Sequence, residues 1–197
     1  MKKRKFPLLI VMGVILIVIS FCLLFFLQLH THTGAEKCKK IVAKIQELLP
    51  DKTSGIPEAY PELSMPILEI NGKDYIALLD VPSLGITLPV ADKWDSKKLF
   101  ISPARFNGSA YNNSLVIGGT DNSHQFGFCN KIEDGAYITV TDVLGTCFTY
   151  TVANIERSKS AENQWLTDKA YDLTLFYRDT YSTDYIAVRC SFVYSTK

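Results

Sequence analysis

The chemistry open to this 197-residue chain depends on a few residues, namely three histidines and five cysteines. A cysteine beside a histidine is a potential nucleophile with its general base. His124 is the only histidine after residue 32, so such a pair would join it to Cys129 or Cys190. His30 and His32, in "HTHT", are predicted to be solvated linker residues rather than metal ligands.

The cysteines have no spacing that indicates a metal site. No CxxC occurs among Cys22, Cys38, Cys129, Cys147 and Cys190. A zinc site is therefore not expected, and we predict neither a metal nor a cofactor. Of the four cysteines after residue 27, Cys129 and Cys147 are the nearest pair and could form a disulfide in an oxidising compartment. The sequence favours the alternative, in which they are small buried hydrophobes.

The N-terminal sequence predicts a membrane anchor. Residues 6–27 carry no charge and, at about 1.5 Å per residue, form a helix of roughly 33 Å, enough to cross a bilayer. The basic residues "KKRK" at positions 2–5 favour a cytoplasmic segment 1–5 and an extracellular C-terminal domain. The alternative is a cleaved signal peptide, although its apolar region is usually only about 7–15 residues long. The net charge of +1 argues against a nucleic-acid partner.

Residues 28–66 are predicted to be a short helical stalk and a linker. The helix has apolar residues on one face and is closed by Pro50; they are Ile41, Val42, Ile45, Leu48 and Leu49. Residues 51–66 are rich in proline, glycine and serine, as in a linker. Two arrangements are open: the helix lifts the following domain off the membrane, or it packs against that domain.

Residues 67–197 are predicted to be a mainly β domain. About eight short strands alternate with turn signals, among them the hairpin dipeptide Asn71-Gly72. Strands at this spacing, with little helix, indicate a sandwich or a barrel. A single helical turn is expected within "SAENQWLTDKAY", residues 160–171.

Four ordered pieces of the sequence carry a family resemblance. They are "EINGKDYIALLDVPSLGITLPV", "LFISPARFNGSAYNNSLVIGG", "FG" followed by "DGAYITVTDVLGTCFTYTV", and "DLTLF…YIAVRC". From Glu69 to Cys190 the chain resembles the sortases, cysteine transpeptidases of Gram-positive cell surfaces, and in particular their compact class B-like members. The resemblance implies an eight-stranded sortase-like β-barrel behind the N-terminal transmembrane helix and stalk.

The resemblance also implies three functional positions. In sortases a cysteine after "TLxT" attacks the backbone carbonyl of a sorting motif, and an amine resolves the thioacyl intermediate. A histidine after "VI(A/G)G" moves protons, and an arginine that opens the last strand stabilises the oxyanion. Here the histidine, cysteine and arginine positions hold Thr120, Arg178 and Tyr185, with Tyr177 where threonine is usual. Threonine is not a base near neutral pH, and arginine does not lose its proton.

One hypothesis is therefore a non-catalytic sortase-like protein with a binding or accessory role at the cell surface. Thr120, Tyr177, Arg178 and Tyr185 would line a polar pocket, in which Arg178 recognises a carboxylate. The partner would be a sorting-motif peptide, a surface protein or an active sortase. The alternative for this pocket is sequence drift, in which these residues merely fill the space.

The second hypothesis is an active transpeptidase or hydrolase with a displaced Cys–His pair. It requires His124 close to an accessible and acidic thiol, at Cys129 or Cys190. Cys190 also suits the end of the last sortase strand, where it would be structural.

Overall fold

A long helix, α1 (Phe6–Leu48), begins the computed structural model, which describes residues 6–55, 64–95 and 101–194. The chain divides into two units, Met1–Glu36 and Lys37–Lys197, and α1 contributes to both. The predicted cytoplasmic segment 1–5 lies outside the described residues. No helix in the described part of the chain is both long and apolar enough to span a membrane.

The C-terminal part of α1 packs against the β domain. Cys38, Ile41 and Ile45 are buried and recur at three- and four-residue intervals, so they lie on one face of the helix. Ile41 and Ile45 share a hydrophobic cluster with Tyr75 and Leu78 of the β domain. Of the two predicted arrangements, packing against the domain is therefore the one observed.

This packing predicts unequal costs for truncating two residues of α1. We expect Ile45→Ala to reduce the free energy of unfolding by about 2–4 kcal/mol, because the fully buried side chain leaves a cavity. Leu48→Ala should cost less than about 1 kcal/mol, since Leu48 is 50% exposed. Chemical denaturation of the full chain in a nonionic detergent measures both. Equal and small costs would contradict the packing of α1 on the domain.

In the described residues, ten strands and a short helix follow α1. The ordered elements are β1 (Thr53–Ser54), β2 (Leu68–Ile70), β3 (Lys73–Val81), β4 (Ile86–Ala91), β5 (Ala104–Asn107), β6 (Leu115–Gly118), β7 (Tyr137–Asp142), β8 (Thr146–Ser158), α2 (Asn163–Leu166), β9 (Leu173–Arg178) and β10 (Tyr185–Phe192). The Asn71-Gly72 hairpin is confirmed, since both residues have positive φ (54° and 72°), as a tight hairpin turn requires. The expected helical turn is α2.

Eight of these strands close into a barrel. The hydrogen-bonded order is β8-β10-β9-β6-β5-β4-β3, and β7 pairs with both β3 and β8 to complete the ring. The prediction of an eight-stranded barrel is thus confirmed. Two short strands lie outside the ring: β2 pairs with β3, and β1 pairs in parallel with β8. β1 lies within residues 51–66, the segment predicted to be a linker, of which residues 56–63 lie outside the described residues.

Strands β9 and β10 direct alternate side chains into and out of the barrel. Leu175 and Val188 belong to the core, whereas Phe176 and Ala187 belong to a separate cluster on the outer face. This period of two follows from strand geometry. It decides which side of the barrel each predicted site residue reaches.

Candidate functional site

The sheet topology brings the three family positions to one edge of the barrel. β6 and β9 are parallel, with Gly118 opposite Phe176, so their carboxyl ends lie side by side. Thr120 follows β6 and Arg178 ends β9. β10 is antiparallel to β9, and its first residue, Tyr185, is directly opposite Arg178. Positions 58 residues apart in the sequence therefore become neighbours.

These residues line a pocket of about 340 Å³. Its lining consists of Trp94, Gly119, Thr120, Asp121, Asn122, Phe176, Tyr177, Arg178, Thr180 and Tyr185. All four predicted peptide-binding residues are present. Sequence reasoning missed Trp94, which no local motif links to the pocket, and also Asp121 and Asn122. The last two directly follow Thr120 and could have been included on that ground.

Arg178 is held by its neighbours but keeps most of its donors available. Its Nε donates to the carbonyl oxygen of Thr183 at 3.1 Å, and its guanidinium lies 5.8 Å from the ring centroid of Tyr185. The side chain is exposed, and its two Nη groups make no hydrogen bond within the described part of the chain. A guanidinium oriented in this way offers a planar fork of donors to a carboxylate.

Thr120 is fixed by a tight turn that follows β6. Its hydroxyl accepts from Asn122 Nδ2 at 2.8 Å, and its carbonyl oxygen accepts from the backbone N–H groups of Asn122 and Phe126. Its own N–H donates to the side-chain oxygen of Gln125 at 3.1 Å. The hydroxyl proton of Thr120 thus remains a donor for a ligand, whereas the residue has no basic nitrogen.

The β9–β10 loop is ordered by Asp179. Its carboxylate accepts from the backbone N–H groups of Tyr181 and Ser182 at 2.7 and 3.0 Å, and it lies 3.5 Å from Arg157. The hydrogen bonds from Ser182 and then Tyr181 lower the pKa of Asp179. A separate contact joins this loop to the Thr120 turn, because Thr180 N–H donates to Asp121 at 3.0 Å.

The outer face beside the pocket is covered by an aromatic cluster of Trp94, Phe106 and Phe176. The three ring centroids are 5.3 to 5.7 Å apart. Trp94 approaches the barrel where Gly118 has no side chain, since a Cβ atom there would be 2.0 Å from the indole. The cluster therefore fills the sheet surface next to the pocket.

The structure places the side chain of Tyr177 differently from the other predicted ligand contacts. Its ring belongs to the barrel core and the residue is only 5% exposed. Burial, with a smaller effect of nearby Cys129, raises the pKa of Tyr177 to about 12. Tyr177 thus supports the pocket from inside the barrel.

The candidate displaced nucleophiles are buried. Cys129 and Cys190 lie in the barrel core, and burial raises the pKa of both thiols well above the ordinary value. All five cysteines are described, and they are free thiols. Of the two cysteine predictions, the buried-hydrophobe one is thus confirmed for Cys129 and Cys190, and the Cys129–Cys147 disulfide is wrong for this structure.

His124 is not among the residues that line the pocket. It is half-buried in the turn after Thr120. No group of three or more histidine, cysteine, aspartate or glutamate residues within the described ranges could hold a metal ion.

Comparison with solved structures identifies the fold. Sortase C1 from Streptococcus agalactiae superposes with a TM-score of 0.56 at 23% identity, over 65% of this chain and 72% of that one. Sortase A from Corynebacterium diphtheriae (a lid mutant) gives 0.54 at 22% identity, over 63% and 73%. A Clostridium perfringens sortase D5 transpeptidase gives 0.53 at 19% identity, over 61% and 80%. No protein-family model matches the chain, and no curated protein is similar enough to count as a match. The domain formed by β3–β10 therefore has the sortase fold.

Proposed function

We propose that this chain is a non-catalytic sortase-like protein that binds a carboxylate-bearing peptide in the pocket around Arg178. The single observation that carries the proposal is the gathering of Thr120, Arg178 and Tyr185 at one pocket, in place of histidine, cysteine and arginine. None of these side chains supplies a thiolate or a base near neutral pH. The Nη groups of Arg178 and the hydroxyl of Thr120 can instead donate hydrogen bonds.

The size of the pocket favours the end of a peptide over a long segment. About 340 Å³ is near the lower limit for a ligand site, and the aromatic cluster occupies the adjoining surface. A C-terminal carboxylate satisfies the fork of Arg178, and the hydroxyl of Thr120 can donate to the same ligand. The bound peptide is released unchanged.

The test compares peptides that differ only at the C-terminus. We expect a library of tripeptides with free carboxylates to bind the full chain, and Arg178→Met to weaken binding about 10- to 100-fold, the value of one or two charge-assisted hydrogen bonds. Arg178→Lys keeps the charge without the fork and should give an intermediate affinity. Calorimetry measures both. Equal binding of amidated and free peptides would contradict the proposal.

The alternative function is an active enzyme with a displaced Cys–His pair. The burial and raised pKa values of Cys129 and Cys190 speak against it, because a nucleophilic thiol must be reachable and ionised. The finer assignment to the class B-like sortases is part of the proposal and rests on the four sequence pieces.

We further propose that the chain acts at the cell surface, held by its N-terminal residues. The support is the uncharged run 6–27 behind "KKRK". We expect the protein to resist alkaline extraction from membranes. Deletion of residues 6–27 should abolish this resistance. Full extraction of the intact chain would contradict it.

A further inference from the structure

A second cavity lies away from the Arg178 pocket, between the C-terminal part of α1 and the β2–β3 hairpin. It measures about 640 Å³. Its floor is apolar, formed by residues such as Ile41, Ile70 and Ile101, with Tyr75 fully buried beside them. We call this cavity the hairpin groove.

The rim of the hairpin groove is strongly basic. Lys37, Lys40 and Lys44 are spaced by three and four residues, so they lie on one face of α1, and Lys73 approaches from the hairpin. Glu69 is the one carboxylate among the lining residues. The rim therefore carries an excess of positive charge, although the whole chain is nearly neutral.

Two of these lysines have no ion-pair partner among the described residues. Lys44 is paired with Glu47 at 3.1 Å. Lys37 and Lys40 form no ion pair with any residue that the structure describes. Both residues are exposed, and their ammonium groups are thus available to an acidic ligand.

The groove also borders β2, whose outer edge is unpaired within the described sheet. β2 lies at the end of the strand order and has β3 as its one neighbour in the described sheet. The two-residue turn makes Ile70 and Lys73 the pair that exchanges hydrogen bonds. The backbone N–H and C=O of Glu69, one residue away, then point to the free edge.

From these observations we propose that the hairpin groove binds an extended peptide segment in which acidic and apolar residues alternate. In a strand, successive side chains point to opposite sides. One set of side chains then packs on the isoleucine floor while the other reaches the lysine rim, and the backbone pairs with the free edge of β2. An anionic lipid would match the charge and the apolar floor, but it has no backbone to pair with the strand edge.

The test uses the full chain in a nonionic detergent and a fluorescent octapeptide of alternating glutamate and valine. We expect saturable binding by anisotropy at low salt. The double variant K37Q/K40Q should bind about tenfold more weakly, since it loses two exposed ion pairs. The control K131Q/K159Q removes the same charge from two exposed lysines outside the groove and should bind normally.

Two further peptides separate charge from strand pairing. A glutamine–valine octapeptide tests the lysine rim, and a glutamate–valine octapeptide with N-methyl groups at alternate residues tests the free edge. Both should bind at least about tenfold more weakly. Equal affinity of either one to the parent peptide overturns the proposal. Failure of the parent peptide to bind also overturns the proposal. If, in addition, K37Q/K40Q reduces the preference of the chain for phosphatidylglycerol over phosphatidylcholine vesicles, the groove is a lipid site instead.

Discussion

Replacement of Arg189 by methionine is expected to lower the free energy of unfolding by about 3–5 kcal/mol, the cost of breaking a buried ion pair on one side. Arg189 is completely buried on the outer face of β10. Its Nε and Nη2 contact Glu156 at 3.0 and 2.9 Å. Its other donors reach Thr174 and the carbonyl oxygens of Trp165 and Leu166, at 2.6 to 3.3 Å.

The expected loss is large because several groups lose their partner at once. The guanidinium also lies over the rings of Trp165 and Tyr171, at 4.9 and 5.4 Å. These contacts attach the β8–β9 connection, which includes α2, to the barrel. Methionine fills a similar volume but has no hydrogen-bond donor. The carbonyl oxygens of Trp165 and Leu166 and the carboxylate of Glu156 therefore lose the donor that Arg189 provides.

A neighbouring arginine is the matched control. Arg157 is largely exposed, and its pair with Asp179 is 3.5 Å long. Arg157→Met should cost less than about 1 kcal/mol. Urea denaturation of the full chain measures both variants. Similar losses of unfolding free energy for the two variants would show that the Arg189 network contributes little to stability. Faster proteolytic cleavage of Arg189→Met within residues 159–172 would show that the destabilisation is centred on the β8–β9 connection.

The thiols of Cys129 and Cys190 are expected to react with an alkylating reagent at least about a thousandfold more slowly than in the unfolded chain. They are 2% and 0% exposed, so reaction requires an opening of the barrel, and such openings are rare in a stable core. Burial also raises the pKa of both thiols, which lowers the fraction of reactive thiolate at neutral pH.

Cys147 provides an internal standard, because it is half-buried rather than enclosed. Intact-mass analysis after timed alkylation, followed by peptide mapping, should find Cys147 labelled before Cys129 and Cys190. The order of labelling should be the same with sorting-type peptides present, and no acyl adduct should form. Rapid labelling of Cys129 or Cys190 in the folded chain, or an adduct on either, would instead support the displaced-nucleophile enzyme.

The sequence alone was sufficient for the local structure and for the strand ends. The Asn71-Gly72 turn depends on two adjacent residues that tolerate positive φ, and the alternation in β9 and β10 depends on strand geometry. The resemblance to the sortases predicted that Thr120, Arg178 and Tyr185 line one pocket, and the structure brings them together there. The order of the strands in the sheet then brings these three positions side by side.

The tertiary structure decided what covers each surface. Arg189, in an alternating strand, resembles a solvent-facing charge, and it is buried because Glu156, 33 residues away, and Trp165 close over it. Trp94 occupies the outer face because Gly118 leaves room for it. Ile41 and Ile45 have a helical pattern that suits either a free stalk or a packed helix, and their burial depends on Tyr75 and Leu78. Burial is a property of contacts between distant residues, so local spacing could not determine it.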